Sequence, residues 1–138
     1  MKVTVELQQN VNFKGRSDTG HDIMMDGPED HGGENLGARP METLLIGMGG
    51  CASFDVVHIL RKKRKKVSSC IAEIEAERAD EEPRVFVKIH LHFKVAGEGL
   101  TDKAVAQAVQ LSAEKYCSAS IMLAKTADVS HSYEVVAL

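Results

Sequence analysis

The sequence is short of aromatic residues and carries no strong excess of either charge. Tryptophan is absent, aromatic residues make up 4% of the 138 positions, and the net charge is −3. Few rings are available to stack on bases, and no positive excess attracts nucleic acid or an acidic membrane. The alternating N-terminal segment lacks a signal-peptide core, and no apolar run approaches the roughly 20 residues of a membrane span. We therefore expect a cytoplasmic protein without a nucleic-acid or membrane partner.

The three cysteines, Cys51, Cys70 and Cys117, form no CxxC pair, which excludes a zinc ribbon and a thioredoxin motif. An odd number of cysteines without a secretion signal favours free thiols. Cys70, near the start of a predicted strand, is interpreted as structural. His90 and His92 share a strand face, but no third ligand is evident, so both are interpreted as solvated polar positions. Because the glycine spacings of nucleotide loops are also absent, the sequence predicts neither a metal nor a cofactor.

Hydrophobic periodicity divides the chain into strands and helices in a clear order. Alternation of apolar and polar residues predicts strands over residues 1–8, 11–14, 21–25, 70–79, 84–96 and 128–136. A long loop over 26–39 leads to a helix that begins at Pro40. A second helix is capped by Thr101 and ends near Cys117, and a short helical piece covers 120–125. This order predicts an α+β fold with a largely antiparallel sheet, in one domain of residues 1–138.

The first helix is unusual because three of the four residues before Cys51 are glycines. Each interior glycine costs a helix roughly 1 kcal/mol relative to alanine. Their clustering indicates either that another backbone or a substrate approaches closely, or that the helix breaks or kinks there. The basic run 61–66 that follows is either a phosphate or nucleic-acid patch or a solvated helix end. The second interpretation is favoured, since no aromatic residues are interleaved and cations complement a helix C-terminus.

Cys51 and Cys117 are the residues most suited to chemistry. If their helices pack together, the two thiols meet and form a reactive pair; otherwise they are two inert buried thiols. Reactivity requires a thiolate, which nearby positive charge favours. The helix itself offers only Asp55 one turn on, which raises the thiol pKa. The candidate cations are therefore Arg16 and Arg39, elsewhere in the chain.

Three stretches of the sequence carry a resemblance to a known family. The first stretch begins with Pro40 and, two residues later, Glu42, and continues through a helix of small residues to Cys51. Cys117 follows 66 residues after Cys51, in the segment LSAEKYCSAS. With HDIMMDG and GGCASFDVV, these residues resemble the OsmC/Ohr family of osmotically inducible and organic hydroperoxide resistance proteins. The resemblance is greatest to the YhfA-like branch of that family and extends over nearly the whole chain.

The resemblance implies an intertwined homodimer, in which sheets from both subunits wrap two long central helices and the active sites lie at the subunit interface. It also implies a thiol peroxidase that acts in oxidative-stress defence. Cys51 is then the peroxidatic thiolate, Cys117 the resolving cysteine and Arg16 the cation that stabilises the thiolate. The substrate is an organic hydroperoxide, and a dithiol of the lipoyl type is the reductant.

One position departs from the family pattern. Active members carry a glutamate directly after the helix-starting proline, where it orients the arginine. Here Met41 stands at that place and Glu42 is one residue later, which rotates the side chain by about 100°. Either Glu42 does not hold the arginine, or Arg39 and Glu42 form a different arrangement. The alternative function is therefore a non-enzymatic small-molecule binding or stress-response protein with the same fold.

Overall fold

The computed structural model describes residues 1–137, which form two compact units, one of residues 1–46 and one from Gly47 onward. The strands are β1 (Val3–Gln9), β2 (Asn12–Ser17), β3 (Asp22–Met25), β4 (Lys66–Arg78), β5 (Phe86–Glu98) and β6 (Asp128–Val135). The helices are α1 (Pro40–Lys62), α2 (Asp102–Leu111) and α3 (Ser118–Leu123). A 3₁₀ turn covers Glu29–His31 and a π-helical turn covers Ser112–Tyr116. The predicted α+β class is confirmed.

In the N-terminal unit, β1, β2 and β3 form an antiparallel sheet in sequence order. The prediction that β2 ends before Gly15 is wrong, because the strand continues to Ser17 and pairs Arg16 with Thr4 and with Asp22 across its two neighbours. The alternation of Val3, Val5 and Leu7 with polar residues predicts that one face of β1 is buried. Every residue of β1 is exposed in this chain, so its apolar face has no cover within the described residues.

The loop over residues 26–39 is ordered around one buried carboxylate. Asp26 is 2% exposed and accepts hydrogen bonds from the backbone N–H groups of Gly27, Glu34 and Leu36, at 2.7, 3.2 and 3.1 Å. Burial acts to raise the pKa of Asp26, but these donors and the nearby Arg39 outweigh it, so the pKa lies below its ordinary value. The carboxylate thus fixes the loop that leads into α1.

The second unit is built on a three-stranded sheet in the order β4, β5, β6. The long strands β4 and β5 are antiparallel, whereas β6 lies parallel to β5. A parallel pair requires a crossover connection, which α2, the π-helical turn and α3 provide. The prediction of largely antiparallel sheets is confirmed, with this parallel pair as the exception.

The hydrophobic core of this unit lies along β5, α1 and α2. Its fully buried side chains include Ile89, Leu91, Phe93 and Val95 of β5, Met48, Ala52, Val56 and Leu60 of α1, and Val105 and Ala108 of α2. The predicted alternation of β5 fails at its start, where Val87 is exposed and Phe86 is buried. Glu77 pairs with Lys88 but Arg78 pairs with Phe86, so Val87 is an extra residue that forms a β-bulge. Beyond the bulge, the side chains of β5 that face the core are those of the opposite set.

α1 runs without a break through its three glycines, so the interpretation that the helix breaks there is wrong. A Cβ at Gly49 would lie 2.6 Å from Cδ1 of Ile74 on β4, and this glycine therefore allows the helix to pack closely on the sheet. Gly47 and Gly50 have no atom within 4 Å of such a Cβ position among the described residues. The group that approaches Gly49 is a side chain, and the predicted approach of another backbone is found at none of the three glycines among the described residues.

The basic run follows the end of α1. Arg64 has φ 61; its N–H donates to the carbonyl of Arg61, and the N–H of Lys65 donates to the carbonyl of Leu60. This pattern closes the helix with a left-handed residue, a place that glycine usually takes. Positions 61–64 are exposed, which agrees with a solvated helix end.

α1 meets the length and composition of a membrane-spanning helix, so the prediction that no such segment exists is wrong by that measure. The core helix of a soluble protein passes the same test, and one such helix is weak evidence for a membrane span. Only 28% of its apolar window is buried in this chain. Leu44, Ile46 and Phe54 are the large exposed hydrophobic side chains of this helix.

Candidate thiol site

The site lies in the second unit, where α1 and the segment after α2 supply one cysteine each. Cys51 is half-buried and directly precedes Ala52, which belongs to the buried stripe of α1. Cys117 is fully buried and follows the π-helical turn, and its N–H donates to the carbonyl of Ser112 at 2.8 Å. Its sulfur caps α3 by accepting a hydrogen bond from the N–H of Ser120 at 3.4 Å. Cys117 is therefore held by the backbone on both sides.

The two sulfurs and a carboxylate oxygen of Asp55 all lie within 4.8 Å of one another. The expectation that Cys51 and Cys117 meet is therefore confirmed in its geometry. Both cysteines are free thiols in this structure. The proximity arises because Asp55 is one helical turn after Cys51 and so lies on the same side of α1.

Two serines complete the surroundings of the sulfurs. The hydroxyl of Ser112 is buried and lies 3.2 Å from the carbonyl oxygen of Ala52 and 3.3 Å from Oδ2 of Asp55. This hydroxyl has one proton, which it donates to either oxygen, and it ties the π-helical turn to α1. The hydroxyl of Ser118 lies 3.8 Å from the sulfur of Cys51.

The pKa of Cys51 lies below that of an ordinary thiol. Burial acts to raise it, and the Asp55 carboxylate raises it further, as the sequence predicted. The hydrogen bonds from the backbone N–H of Ala119 and from the side chains of Cys117 and Ser118 outweigh both effects and lower the pKa. Hydrogen bonding to the charged form therefore favours the Cys51 thiolate.

The pKa of Cys117 is shifted in the opposite direction. Burial raises it, and the hydrogen bond to Cys51 and the charge of the Cys51 thiolate raise it further, while the N–H of Ser120 lowers it. Of the two thiols, Cys51 therefore ionises first and Cys117 keeps its proton. Burial also raises the pKa of Cys70.

The structure gives Arg16, Glu42 and Arg39 partners within the N-terminal unit. Arg16 forms an exposed pair with Asp22, with its Nε 2.9 Å from Oδ1 and its Nη2 3.3 Å from Oδ2. Glu42 accepts a hydrogen bond from the backbone N–H of Arg39 at 2.8 Å, so it caps the start of α1. The guanidinium of Arg39 donates to Oδ1 of Asn35 at 2.9 Å. Arg39 and Glu42 therefore interact through a helix cap, in which the Glu42 carboxylate binds the backbone of Arg39 and not its guanidinium.

His90 and His92 use all four of their ring nitrogens in hydrogen bonds. His90 lies 2.6 Å from the Ser130 hydroxyl and 2.7 Å from that of Ser132. His92 lies 2.6 Å from Ser132 and 3.1 Å from the Glu134 carboxylate. Both residues are half-buried and are held by β6. Within residues 1–137, the three-ligand group that the structure brings together is instead Cys51, Asp55 and Cys117.

A cavity of about 480 Å³ adjoins the thiol site through Asp55. Its remaining walls are His58, Ile59, Lys62, Lys63, Leu111 and Tyr116. The walls therefore combine apolar surface with basic groups, and the carboxylate of Asp55 connects this space to the two sulfurs.

Comparison with known proteins identifies the family. The model of the OsmC-like proteins matches residues 32–132, which include both Cys51 and Cys117. The chain belongs to the OsmC-like protein family. Arg16 lies outside the matched segment.

The chain is also similar to individual known proteins. The chain is 47% identical to protein YhfA of Escherichia coli K12 over 137 residues, which is 99% of each chain. A crystal structure of a hypothetical protein from Aquifex aeolicus VF5 is 33% identical, with a TM-score of 0.86 over 99% of this chain and 96% of that one. An organic hydroperoxide resistance protein OsmC from Legionella pneumophila is 16% identical, with a TM-score of 0.69 over 97% of each chain. The last likeness shows the fold alone.

The sequence alone does not identify every residue of this site. Asp55 was recognised only as a group that raises the thiol pKa, and neither Ser112 nor Ser118 was considered. The local sequence contains a signal for Ser118. In the segment CSAS, Ser118 directly follows Cys117, the residue that caps α3. Ser112 gave no such signal, since its contact with α1 depends on how distant segments pack.

Proposed function

We propose that this protein is a cysteine-based thiol peroxidase that reduces organic hydroperoxides with a dithiol. The single observation that carries the proposal is the closeness of the Cys51 and Cys117 sulfurs, which lie within 4.8 Å of each other, while the pKa of Cys51 is lowered and that of Cys117 is raised. A nucleophile must be ionised, whereas a resolving thiol remains protonated until it attacks. The two cysteines have these opposite properties.

In the first step, the Cys51 thiolate attacks the terminal oxygen of the hydroperoxide. The S–O bond forms as the O–O bond breaks, Cys51 becomes a sulfenic acid, and the alkoxide leaves with a proton from solvent as the alcohol. Hydrogen bonds from Ser118 and the backbone N–H of Ala119 support the anionic sulfur before the attack.

In the second step, the Cys117 sulfur attacks the sulfenic sulfur. A disulfide forms, and the sulfenic oxygen leaves as water with the proton of Cys117. A dithiol of the lipoyl type then reduces the protein disulfide by exchange, which restores two thiols and leaves the dithiol as its own cyclic disulfide. The adjoining cavity of about 480 Å³, which Asp55 helps to line, offers room for the organic part of the substrate.

The roles of Arg16 and Glu42 rest on the family resemblance. We include Arg16 in the proposal as the cation that supports the thiolate, although its guanidinium is paired with Asp22 in this chain. Glu42 has its carboxylate on the backbone N–H of Arg39, so the proposal gives Glu42 the task of starting α1 correctly.

We also propose that the working form is a homodimer. The apolar residues of β1 are more than half exposed, and Ile46 and Phe54 of α1 are 64% and 70% exposed. Exposed apolar faces of this kind mark interaction surfaces, and a two-fold interface covers the same face on both copies. Light scattering on the purified protein tests this, with a Phe54→Lys variant expected to shift the mass toward a monomer.

The function is tested by following the consumption of tert-butyl hydroperoxide with dihydrolipoamide. Wild-type protein is expected to turn over the peroxide, and Cys51→Ser to abolish turnover. Cys117→Ser should leave one fast equivalent of peroxide consumed, because the sulfenic acid forms but is not resolved. Cys70→Ser is the matched control and should retain activity. Undiminished turnover in Cys51→Ser would remove the proposal.

A second candidate is a non-enzymatic small-molecule binding protein. It is favoured by one observation, namely that Glu42 follows Met41 and caps α1, instead of standing directly after Pro40. This candidate predicts negligible peroxide turnover by the wild-type protein together with binding of a small molecule in the cavity beside Asp55. Fast turnover by the wild type rules it out.

A further inference from the structure

We propose that Cys51, Asp55 and Cys117 form a binding site for a single soft divalent metal ion such as Zn²⁺, with the fourth coordination position open. The proposal goes beyond the peroxidase function, and neither depends on the other. It rests on the three ligand atoms, which lie within 4.8 Å of one another, and on the way the surrounding residues hold them.

The geometry suits a tetrahedral ion. Zn²⁺ binds thiolate sulfur at about 2.3 Å and carboxylate oxygen at about 2.0–2.2 Å, so two sulfurs on one ion lie about 3.8 Å apart. Side chains that already lie within 4.8 Å of one another reach these separations by small rotations. Two thiolates select a soft or borderline ion such as Zn²⁺ over Mg²⁺ or Ca²⁺.

Hydrogen bonds from neighbouring residues also orient the ligands, as is common for metal ligands. Ser112 lies 3.3 Å from Oδ2 of Asp55, where its hydroxyl can hold the carboxylate toward the sulfurs. Cys117 is fixed by its N–H bond to Ser112 and by its place at the start of α3. Such outer contacts reduce the movement that binding requires.

The burial pattern offers a path for the ion. Cys117 is fully buried, while Cys51 and Asp55 are half-buried and partly open to solvent. Three protein ligands with one accessible side are typical of a zinc site that keeps a water in its fourth position.

The charges agree with such a complex. Two thiolates and a carboxylate carry three negative charges, which a divalent ion reduces to one. Lys62 and Lys63 line the same cavity as Asp55, so the cavity beside the remaining negative charge also carries positive charge. Binding displaces the thiol protons. Since the ion and the disulfide use the same two sulfurs, a bound ion prevents oxidation of the pair.

The test is a titration of the full-length protein with Co²⁺, after reduction with a phosphine and removal of metal, under nitrogen. One Co²⁺ per chain is expected, with a thiolate-to-metal charge-transfer band in the near ultraviolet and the intense visible bands of a tetrahedral ion. One equivalent of Zn²⁺ should bleach both, because Zn²⁺ binds such sites more tightly than Co²⁺.

Variants assign the ligands. Cys51→Ser and Cys117→Ser should lose the charge-transfer band, and Asp55→Asn should weaken binding by about 10-fold or more, since even the loss of an outer partner costs about that much. Cys70→Ser is the matched control and should bind as the wild type does. Absence of stoichiometric binding, or an unchanged affinity in Asp55→Asn, overturns the proposal.

A second measurement on the wild type does not depend on whether the buried Cys117→Ser variant folds. Zn²⁺ should protect Cys51 and Cys117 from iodoacetamide while Cys70 reacts at its metal-free rate, as measured by peptide mass spectrometry. Equal alkylation of Cys51 with and without Zn²⁺ overturns the proposal. Peroxidase assays of the metal-free protein decide the enzymatic function separately.

Discussion

Cys51 and Cys70 are both half-buried thiols of the second unit, yet their chemistry differs. Burial raises the pKa of each. At Cys51, hydrogen bonds from the Ala119 N–H and from the Cys117 and Ser118 side chains reverse that effect. At Cys70, one hydrogen bond from Ser53 does not. Cys70 thus combines a stronger desolvation with a single donor, whereas Cys51 has three donors, so burial and donor supply together decide which thiol ionises.

The largest effect that this comparison predicts is in alkylation. At pH 7.5, Cys51 should react with iodoacetamide about 10-fold faster than Cys70, because only the thiolate is a nucleophile. Because the pKa of Cys51 is lowered and that of Cys70 is raised, the Cys51 rate should reach its plateau at a lower pH than the Cys70 rate. Site-resolved mass spectrometry across pH 6–10 measures both profiles. Coincident profiles contradict the interpretation.

Removal of the negative charge beside Cys51 should increase the difference in alkylation rate between Cys51 and Cys70. In metal-free Asp55→Asn, the pKa of Cys51 falls further, because a like charge that disfavours the thiolate is gone. We expect its alkylation at pH 6.5 to become severalfold faster. Cys70 should be unaffected and serves as the internal control in the same sample. A slower Cys51 reaction would show that Asp55 supports the thiolate.

Removal of a hydrogen-bond donor to Cys51 should reduce the difference in alkylation rate between Cys51 and Cys70. Ser118→Ala deletes a hydrogen bond that lowers the pKa of Cys51, so alkylation of Cys51 at pH 6.5 should slow by about two- to threefold, as expected for one of several donors. Ser53→Ala makes the matched change at Cys70, where the rate at pH 9 should also fall. If Ser118→Ala leaves the rate unchanged, the 3.8 Å contact with Cys51 carries no energy.

The smallest expected effect is on stability. Ser112→Ala removes the buried hydroxyl between Ala52 and Asp55 and should lower the free energy of unfolding by about 1 kcal/mol, the usual net value of one hydrogen bond. Ser53→Ala, at a half-buried position, should change it by less than about 0.5 kcal/mol. Urea denaturation of both variants makes the comparison. Equal values would mean that the Ser112 contacts do not tie the two segments together.

Features with a local cause were predictable from the sequence. The cap at Thr101 is confirmed, since its side chain accepts a hydrogen bond from the N–H of Ala104 at 3.2 Å. The long helix from Pro40 and the succession of strands and helices along the chain follow from capping residues and periodicity. The meeting of Cys51 and Cys117 was predicted only on condition that their helices pack together.

Features that depend on distant segments were not predictable. The bulge that exposes Val87 depends on how β5 pairs with β4, and the parallel pairing of β6 depends on the whole crossover. The helix expected to continue to Cys117 ends instead at Leu111 and gives way to a π-helical turn. Alternation and propensity describe neighbours in sequence, whereas these features arise from packing.

The π-helical turn has a consequence for insertions and deletions in this part of the chain. A bond from the N–H of Cys117 to the carbonyl of Ser112 spans five residues, so the number of residues between them fixes the direction of the sulfur. Deleting one residue there would rotate Cys117 by about 100°, the step of a helix, and point its thiol away from α1. The four residues from Ala113 to Tyr116 must therefore keep their number for Cys117 to face α1.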